Sequence, residues 1–134
     1  MKTSIGHLQI NIDPQNIPFY KELLSFLGWS VLYEDPNMLG IGSNGASLWF
    51  TAPLKEIKGD YDGTGMNHIG LSAAVQSDVD QAVTYLKKHS IPALFNTPCH
   101  RPEFSAGPDK TYYQVMFESP DRILFEVVYT GDKS

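Results

Sequence analysis

The chain has 134 residues, of which 42% are hydrophobic and 19% are charged, a composition ordinary for one globular domain. The formal net charge of −5, with only 10 Lys and Arg residues, provides no basic surface for nucleic acid. Cys99 is the single cysteine, so no intrachain disulfide can form, and no apolar run approaches the roughly 18 residues that span a bilayer. We therefore expect a cytoplasmic protein with neither nucleic-acid nor membrane partners.

The first half of the chain predicts a strand, a helix and three further strands. Residues 5–12 predict a half-buried strand, because polar and apolar side chains alternate strictly from His7 to Ile12. A helix is predicted next, starting after Asp13 or Asn16 and ending before Gly28. Its apolar residues recur at three- and four-residue spacing: Phe19, Tyr20, Leu23, Leu24 and Leu27. Strands are predicted over residues 29–33, 38–41 and 46–51, the last two joined by a turn at 43–45.

The second half predicts the same order of elements. Residues 67–72 form an alternating strand, and a helix follows, in which Ser77 and Asp80 resemble a capping box. The helix ends near Lys87 and Lys88, where positive charge favours the helix dipole. Residues 91–95 predict a strand and 96–110 a long loop. Residues 112–117 and 122–129 then predict a hairpin.

These halves indicate an internal duplication of a βαβββ module in an α+β fold. We expect modules at 1–52 and 66–131, joined by a linker at 53–65 within a single domain of residues 1–134. His7 and His68 stand at the head of each first strand, 61 positions apart. When the two halves are aligned, the closing hairpins match at an offset of 77 positions, so that Trp49 is equivalent to Glu126. Three of these four equivalent positions therefore carry metal-ligand residue types.

A divalent metal site is the chemistry that these three residues favour. Two imidazoles and one carboxylate form a ligand set that leaves coordination positions open. Glu126 shares a strand face with Leu124 and Val128, where an ionised carboxylate is costly unless a cation or hydrogen bonds compensate it. The alternative is that the histidines are ordinary half-buried residues and that Glu126 lies on a hydrated face.

The order of several short motifs resembles that of the vicinal oxygen chelate superfamily, which includes glyoxalase I, bleomycin resistance proteins and extradiol dioxygenases. The matching segments are Gly6-His7, Phe19-Tyr20, Leu27-Gly28-Trp29, Asn67-His68-Ile69-Gly70-Leu71, and Ser119-Pro120-Asp121 followed by Glu126. The resemblance implies paired βαβββ modules that form an open, U-shaped mixed β-sheet barrel with the helices outside. It also implies a homodimer and one divalent ion, Zn, Ni, Mn, Fe or Co, that chelates two oxygens of the substrate.

Residue by residue, His7, His68 and Glu126 match the superfamily's usual metal ligands. Trp49 does not, because glyoxalase-type members commonly carry Glu or Gln at that place. The resemblance gives Glu126 a second role as the catalytic base. The sequence thus predicts a glyoxalase-related metalloenzyme of the isomerase, lyase or transferase type, which stabilises an oxyanion or enediolate of a small oxygen-rich substrate. The alternatives are a non-catalytic binding protein of the bleomycin-resistance type and an Fe(II)-dependent dioxygenase.

Four further residues are predicted to contact the substrate. Arg101, in the loop 96–110, suits a substrate carboxylate or phosphate, although a surface ion pair with Glu103 is the alternative. Gln114 lies on the polar face of a predicted strand. Trp49 and Tyr113 are the aromatic residues assigned to the walls of an apolar pocket, whereas the other aromatic residues are expected in packing.

Overall fold

Eight strands and two α-helices follow one another along the described residues, 1–133, of the computed structural model. The chain divides into two compact units, Met1–Lys58 and Gly59–Ser134. Each unit has one helix and one open four-stranded mixed sheet, which confirms the predicted α+β class and the two βαβββ modules. Among the described residues, no helix has the length and apolar character needed to cross a membrane.

The first unit packs its helix on one face of its sheet. Its elements are β1 (His7–Asn11), α1 (Ile17–Phe26), β2 (Ser30–Asp35), β3 (Met38–Ser43) and β4 (Ala46–Thr51). The strand order is β1-β4-β3-β2, with β1 parallel to β4 and the other pairs antiparallel. Tyr20 of α1 is fully buried and stacks on Phe50 of β4 with ring centroids 4.2 Å apart. This apolar contact fixes the helix on the sheet.

The second unit repeats this arrangement. Its elements are β5 (Ile69–Ser72), α2 (Gln76–Lys88), β6 (Leu94–His100), β7 (Lys110–Glu118) and β8 (Leu124–Asp132). The strand order β5-β8-β7-β6 is that of the first sheet, with β5 parallel to β8. Helix α2 buries Val79, Ala82 and Leu86 and packs on β7 and β8. Phe117 and Phe125 stack across these two strands, and neither side chain is exposed.

The strand registers agree with the sequence offsets between the modules. In the first sheet Trp49 is paired with Gln9, and in the second sheet Glu126 is paired with Gly70. Gln9 and Gly70 are 61 positions apart, and Trp49 and Glu126 are 77 positions apart. Trp49 and Glu126 therefore occupy equivalent places, each on the closing strand of its module.

The start of α2 differs from the sequence prediction. The residue that caps the helix is Val75, and no side chain makes a capping hydrogen bond there. Ser77 and Asp80 lie inside the helix instead of forming a capping box. The Asp80 carboxylate accepts a hydrogen bond from the Tyr113 hydroxyl (2.8 Å), so it connects the helix to the sheet.

Strand β6 also differs from the prediction, which ended it at Phe95 and began a loop at Asn96. The Ile91 amide bonds the Leu86 carbonyl at the end of α2, and Pro92 follows, so residues 91–93 do not extend the sheet. Pairing instead runs from Leu94 to His100, across an irregularity between Leu94 and Cys99. Part of the expected loop is therefore a strand.

Candidate functional site

A cavity of about 580 Å³ lies within the second unit, on the face of its sheet opposite α2. In the hairpin, Met116 is paired with Glu126, so alternate residues from Tyr112 to Met116 and from Leu124 to Glu126 share this face. The volume is within the range of about 300–1,000 Å³ that small-molecule sites occupy. The lining residues are Tyr61, Asp62, Asn67, His68, Phe95, Arg101, Glu103, Phe104, Tyr112, Gln114, Met116, Leu124 and Glu126.

Glu126 is the buried carboxylate of this cavity, with only 4% of its surface exposed. The Tyr112 hydroxyl bridges its two oxygens, at 3.1 Å from Oε1 and 2.9 Å from Oε2, and the Gln114 amide donates to Oε2. Gly70 on the neighbouring strand leaves Oε1 uncovered, since a Cβ there would lie 3.2 Å from that oxygen. These hydrogen bonds compensate the buried charge. Oε1 accepts from one donor and Oε2 from two, so Oε1 is the less hydrogen-bonded oxygen.

His68 presents one ring nitrogen toward Glu126. Its Nδ1 lies 2.7 Å from the Asn67 Oδ1, and the Asn67 amide nitrogen donates to the Tyr61 carbonyl, which fixes the orientation of that amide. Nδ1 is therefore the ring nitrogen that donates to Asn67, and Nε2 is the ring nitrogen directed toward Glu126. Nε2 lies 3.6 Å from Oε1 of Glu126, beyond hydrogen-bond distance.

This separation fits two ligands of one metal ion. Metal–nitrogen and metal–oxygen bonds of about 2.0–2.2 Å place two ligand atoms roughly 3.0–3.6 Å apart. The Asn67 contact is the kind of second hydrogen bond that orients a metal-binding imidazole. Within either unit, the described residues contain no group of three or more His, Cys, Asp and Glu side chains that could hold a metal. His68 and Glu126 are thus a pair rather than a complete ligand set.

Gln114 connects Glu126 to Arg101. Gln114 is 4% exposed, and its amide oxygen accepts from Nε of Arg101 at 3.0 Å while its nitrogen donates to Glu126. A second bond runs from Nη2 of Arg101 to the carbonyl of Phe95 (2.7 Å). Arg101 therefore bonds Gln114 and backbone rather than Glu103, so the alternative of a surface ion pair is not what the structure shows.

The two adjacent tyrosines of β7 face opposite sides of the sheet. Tyr112 lines the cavity and bonds Glu126, whereas Tyr113, which the sequence assigned to the substrate, faces α2 and bonds Asp80. Burial, reinforced by these carboxylate contacts, raises the pKa of both hydroxyls to about 12. The structure thus gives the cavity position to Tyr112.

The raised tyrosine pKa values predict a loss of stability at high pH. A folded-state pKa above the ordinary value of 10 stabilises the fold fully below pH 10, and this contribution is lost as the pH rises toward 12. Chemical denaturation between pH 9 and 12 should show the free energy of unfolding falling across this window. The fall should be smaller in Tyr112→Phe, and the same pH slope in both proteins would contradict the prediction.

Two predicted site residues, His7 and Trp49, belong to the first unit. His7 begins β1 with an exposed side chain. The Trp49 ring lies flat against Gly40 of β3, where a Cβ would come within 2.4 Å of it, and its Nε1 donates to the Ser47 hydroxyl at 3.0 Å. Glycine at position 40 is what lets the indole lie against the sheet.

Sequence reasoning missed Tyr112 and Asn67 as residues of the site. The signal for Tyr112 was present, since alternation along the predicted hairpin places residues 112 and 114 on the same face as Glu126. Asn67 stands directly before a predicted ligand, but its role depends on an amide orientation fixed by the Tyr61 carbonyl. No local pattern indicates that contact.

No family model matches this chain, and no curated protein matches it. Among solved structures, a glyoxalase-like protein from Bacillus halodurans is 27% identical, with a TM-score of 0.76 over 93% of this chain and 94% of that one. A glyoxalase/bleomycin resistance protein from Albidiferax ferrireducens is 16% identical, with a TM-score of 0.73 over 93% and 98% of the two chains.

A lactoylglutathione lyase from Agrobacterium tumefaciens has the same fold, at 17% identity and a TM-score of 0.66 over 96% and 94% of the two chains. The structural neighbours of this chain are therefore proteins of the glyoxalase/bleomycin resistance/dioxygenase group, that is, of the vicinal oxygen chelate superfamily. The resemblance stated from the sequence motifs is confirmed at the level of the fold. A shared fold does not fix the reaction.

Proposed function

We propose that this chain is a glyoxalase-related metalloenzyme that acts on a small oxygen-rich substrate in the cavity of the second unit. The observation that carries the proposal is the pair formed by His68 and Glu126. Nε2 of His68, whose other ring nitrogen donates to Asn67, lies 3.6 Å from the less hydrogen-bonded oxygen of a buried carboxylate. Both atoms belong to residues that line a cavity large enough for a small molecule.

His68 and Glu126 fit two coordination positions of a divalent ion, and His7, the third ligand expected from the sequence, stays a prediction. One carboxylate oxygen and imidazole nitrogens suit Zn, Ni, Mn, Fe or Co. When bound, such an ion supplies Lewis-acid stabilisation of an oxyanion or enediolate. Asn67 contributes by holding the His68 ring in the tautomer that leaves Nε2 unprotonated.

Glu126 is proposed as a metal ligand that also acts as the base beside the substrate carbonyl, a role that requires its bond to the ion to be labile. Tyr112 and Gln114 hold the carboxylate in a single orientation, and Oε1 is its less hydrogen-bonded oxygen. A carboxylate fixed in this way loses little freedom when it takes a proton, which favours general base catalysis. Isomerase, lyase and transferase reactions can all use this step.

Metal content measured on tag-free protein tests the proposal, with His68→Ala as the decisive variant and His89→Ala as the matched control. His89 follows α2 and does not line the cavity. We expect about one ion per chain in the wild type and in His89→Ala, and a large loss in His68→Ala because the nitrogen ligand is removed. Equal metal content in all three proteins would reject the proposed site.

A metal-free binding protein of the bleomycin-resistance type is the second candidate, and one observation favours it. Tyr112 and Gln114 compensate the charge of Glu126 without any cation. Phe95 and Phe104 also line the cavity and give it aromatic surface. This candidate predicts that the purified protein carries no stoichiometric metal and that its ligand affinity is unchanged by a chelator.

A further inference from the structure

Arg101 lines the cavity and, among residues 1–133, has no carboxylate partner. Its two hydrogen bonds go to neutral oxygens, the Gln114 amide and the Phe95 carbonyl. Within the part of the chain that the structure describes, no ion pair includes it. Arg122, the other arginine, donates to both Asp60 and Asp62. A guanidinium has five N–H donors, so Arg101 keeps donors available for an anion in the cavity.

Strand β6, which precedes Arg101, fixes the position of the carbonyl that binds the Arg101 side chain. The residues of β6 between Leu94 and Cys99 leave the regular pairing with β7, and the Thr97 hydroxyl donates to the Leu94 carbonyl and accepts from the Met116 amide. This bulge holds Phe95 and Asn96 at φ of 57°, a left-handed conformation that is unusual for a bulky residue. Strained residues of this kind concentrate at binding sites, and here the strained residue supplies the carbonyl that binds Arg101.

The charged residues that line the cavity favour a ligand with one negative charge. Asp62 is neutralised by Arg122 (3.1 Å), and Glu126 accepts from Tyr112 and Gln114. Glu103 is exposed and, within the described residues, has no ion pair, so it repels a second anionic group. Among the residues that line the cavity, Arg101 is the one with a permanent positive charge.

We propose that the ligand of this cavity carries a single carboxylate, bound by Arg101, on a body with an aromatic ring. Phe95 and Phe104 supply the apolar wall for that ring, and an edge contact with Tyr112 (5.4 Å between centroids) fixes Phe104. Gln114 joins the carboxylate anchor to Glu126, so the same amide positions both. The proposal rests on the proposed function for the choice of site and names its substrate class.

Calorimetric titration with phenylacetate and with its neutral counterpart phenylacetamide tests the proposal. We expect the acid to bind at least about tenfold more tightly, because its acceptor oxygens are ionised as well as the guanidinium donor, whereas the amide oxygen is neutral. Arg101→Gln should remove this preference, whereas Lys110→Gln, which removes one positive charge away from the cavity, should keep it. Equal affinity for acid and amide in the wild type, or a preference that survives in Arg101→Gln, would overturn the proposal.

Phenylmalonate, titrated into chelator-treated protein so that no metal ion can bind its two carboxylates, tests the single charge. Its second carboxylate should weaken binding, and tighter binding than phenylacetate would overturn that assignment. Repeating the phenylacetate titration with and without a chelator separates this inference from the proposed function. Arg101-dependent binding that persists in metal-free protein supports the anchor even where no metal site exists. Binding that requires metal and is unaffected by Arg101→Gln overturns the anchor and leaves the metal site intact.

Discussion

Replacing Glu126 by Gln is expected to abolish stoichiometric metal binding while the fold is retained. The introduced amide oxygen can still accept from Tyr112 and Gln114, so the hydrogen bonds of the buried site persist. Its amino group can donate to Nε2 of His68 and occupy the lone pair that a metal needs. Substituting an outer-shell partner costs roughly 10–100-fold in metal affinity, and the loss of a charged ligand should exceed this.

Cobalt(II) titration followed by visible absorption measures this effect, and circular dichroism checks the fold. Glu118→Gln is the matched control, because Glu118 is a carboxylate of the same hairpin that bonds Tyr61 and does not line the cavity. The control should bind cobalt as the wild type does. Unchanged cobalt affinity in Glu126→Gln would remove Glu126 from the proposed ligand set.

Replacing Phe125 by Ala should produce the largest loss of stability. Phe125 is fully buried and stacks on Phe117, with centroids 5.7 Å apart and ring planes 9° apart. Removing a buried aromatic ring costs about 3–5 kcal/mol, because transfer energy is lost and a cavity remains. For a chain of this size, such a loss lowers the melting temperature by roughly 10–15 °C.

Urea denaturation of the variant measures this loss directly. Phe104→Ala is the comparison, since Phe104 is 64% exposed and makes an edge contact with the ring of Tyr112. We expect Phe104→Ala to change the free energy of unfolding by less than about 1 kcal/mol. A similar free energy of unfolding in both variants would show that the stacking of Phe125 on Phe117 does not stabilise the core of this unit.

Local patterns predicted the elements whose side chains repeat with one clear period. Strand β4 coincides with the predicted residues 46–51, and β1 lies inside the predicted 5–12. Helix α1 buries Tyr20, Leu23 and Leu24, three of the five residues that predicted it. These elements were predictable because burial on one face leaves a period of two or of 3.6 in the sequence.

The path of β6 could not be predicted, because contacts distant in sequence decide it. Residues 91–95 have the composition of a strand, yet the Ile91 amide is taken by the end of α2. The Thr97 hydroxyl accepts a hydrogen bond from the backbone amide of Met116, 19 positions away, in place of a backbone carbonyl of β6. This bond stabilises the bulge that contains Phe95. No window of neighbouring residues contains this information.

The sequence by itself determined the duplicated order of elements, the place of His68 directly before β5 and that of Glu126 on β8, because alternation and module offsets are properties of the chain alone. Only the tertiary structure decided that Tyr112 rather than Tyr113 faces the cavity, because helix packing selects which face of β7 is covered. It also decided that Gln114 joins Arg101 to Glu126, since hydrogen bonds depend on side-chain directions across paired strands.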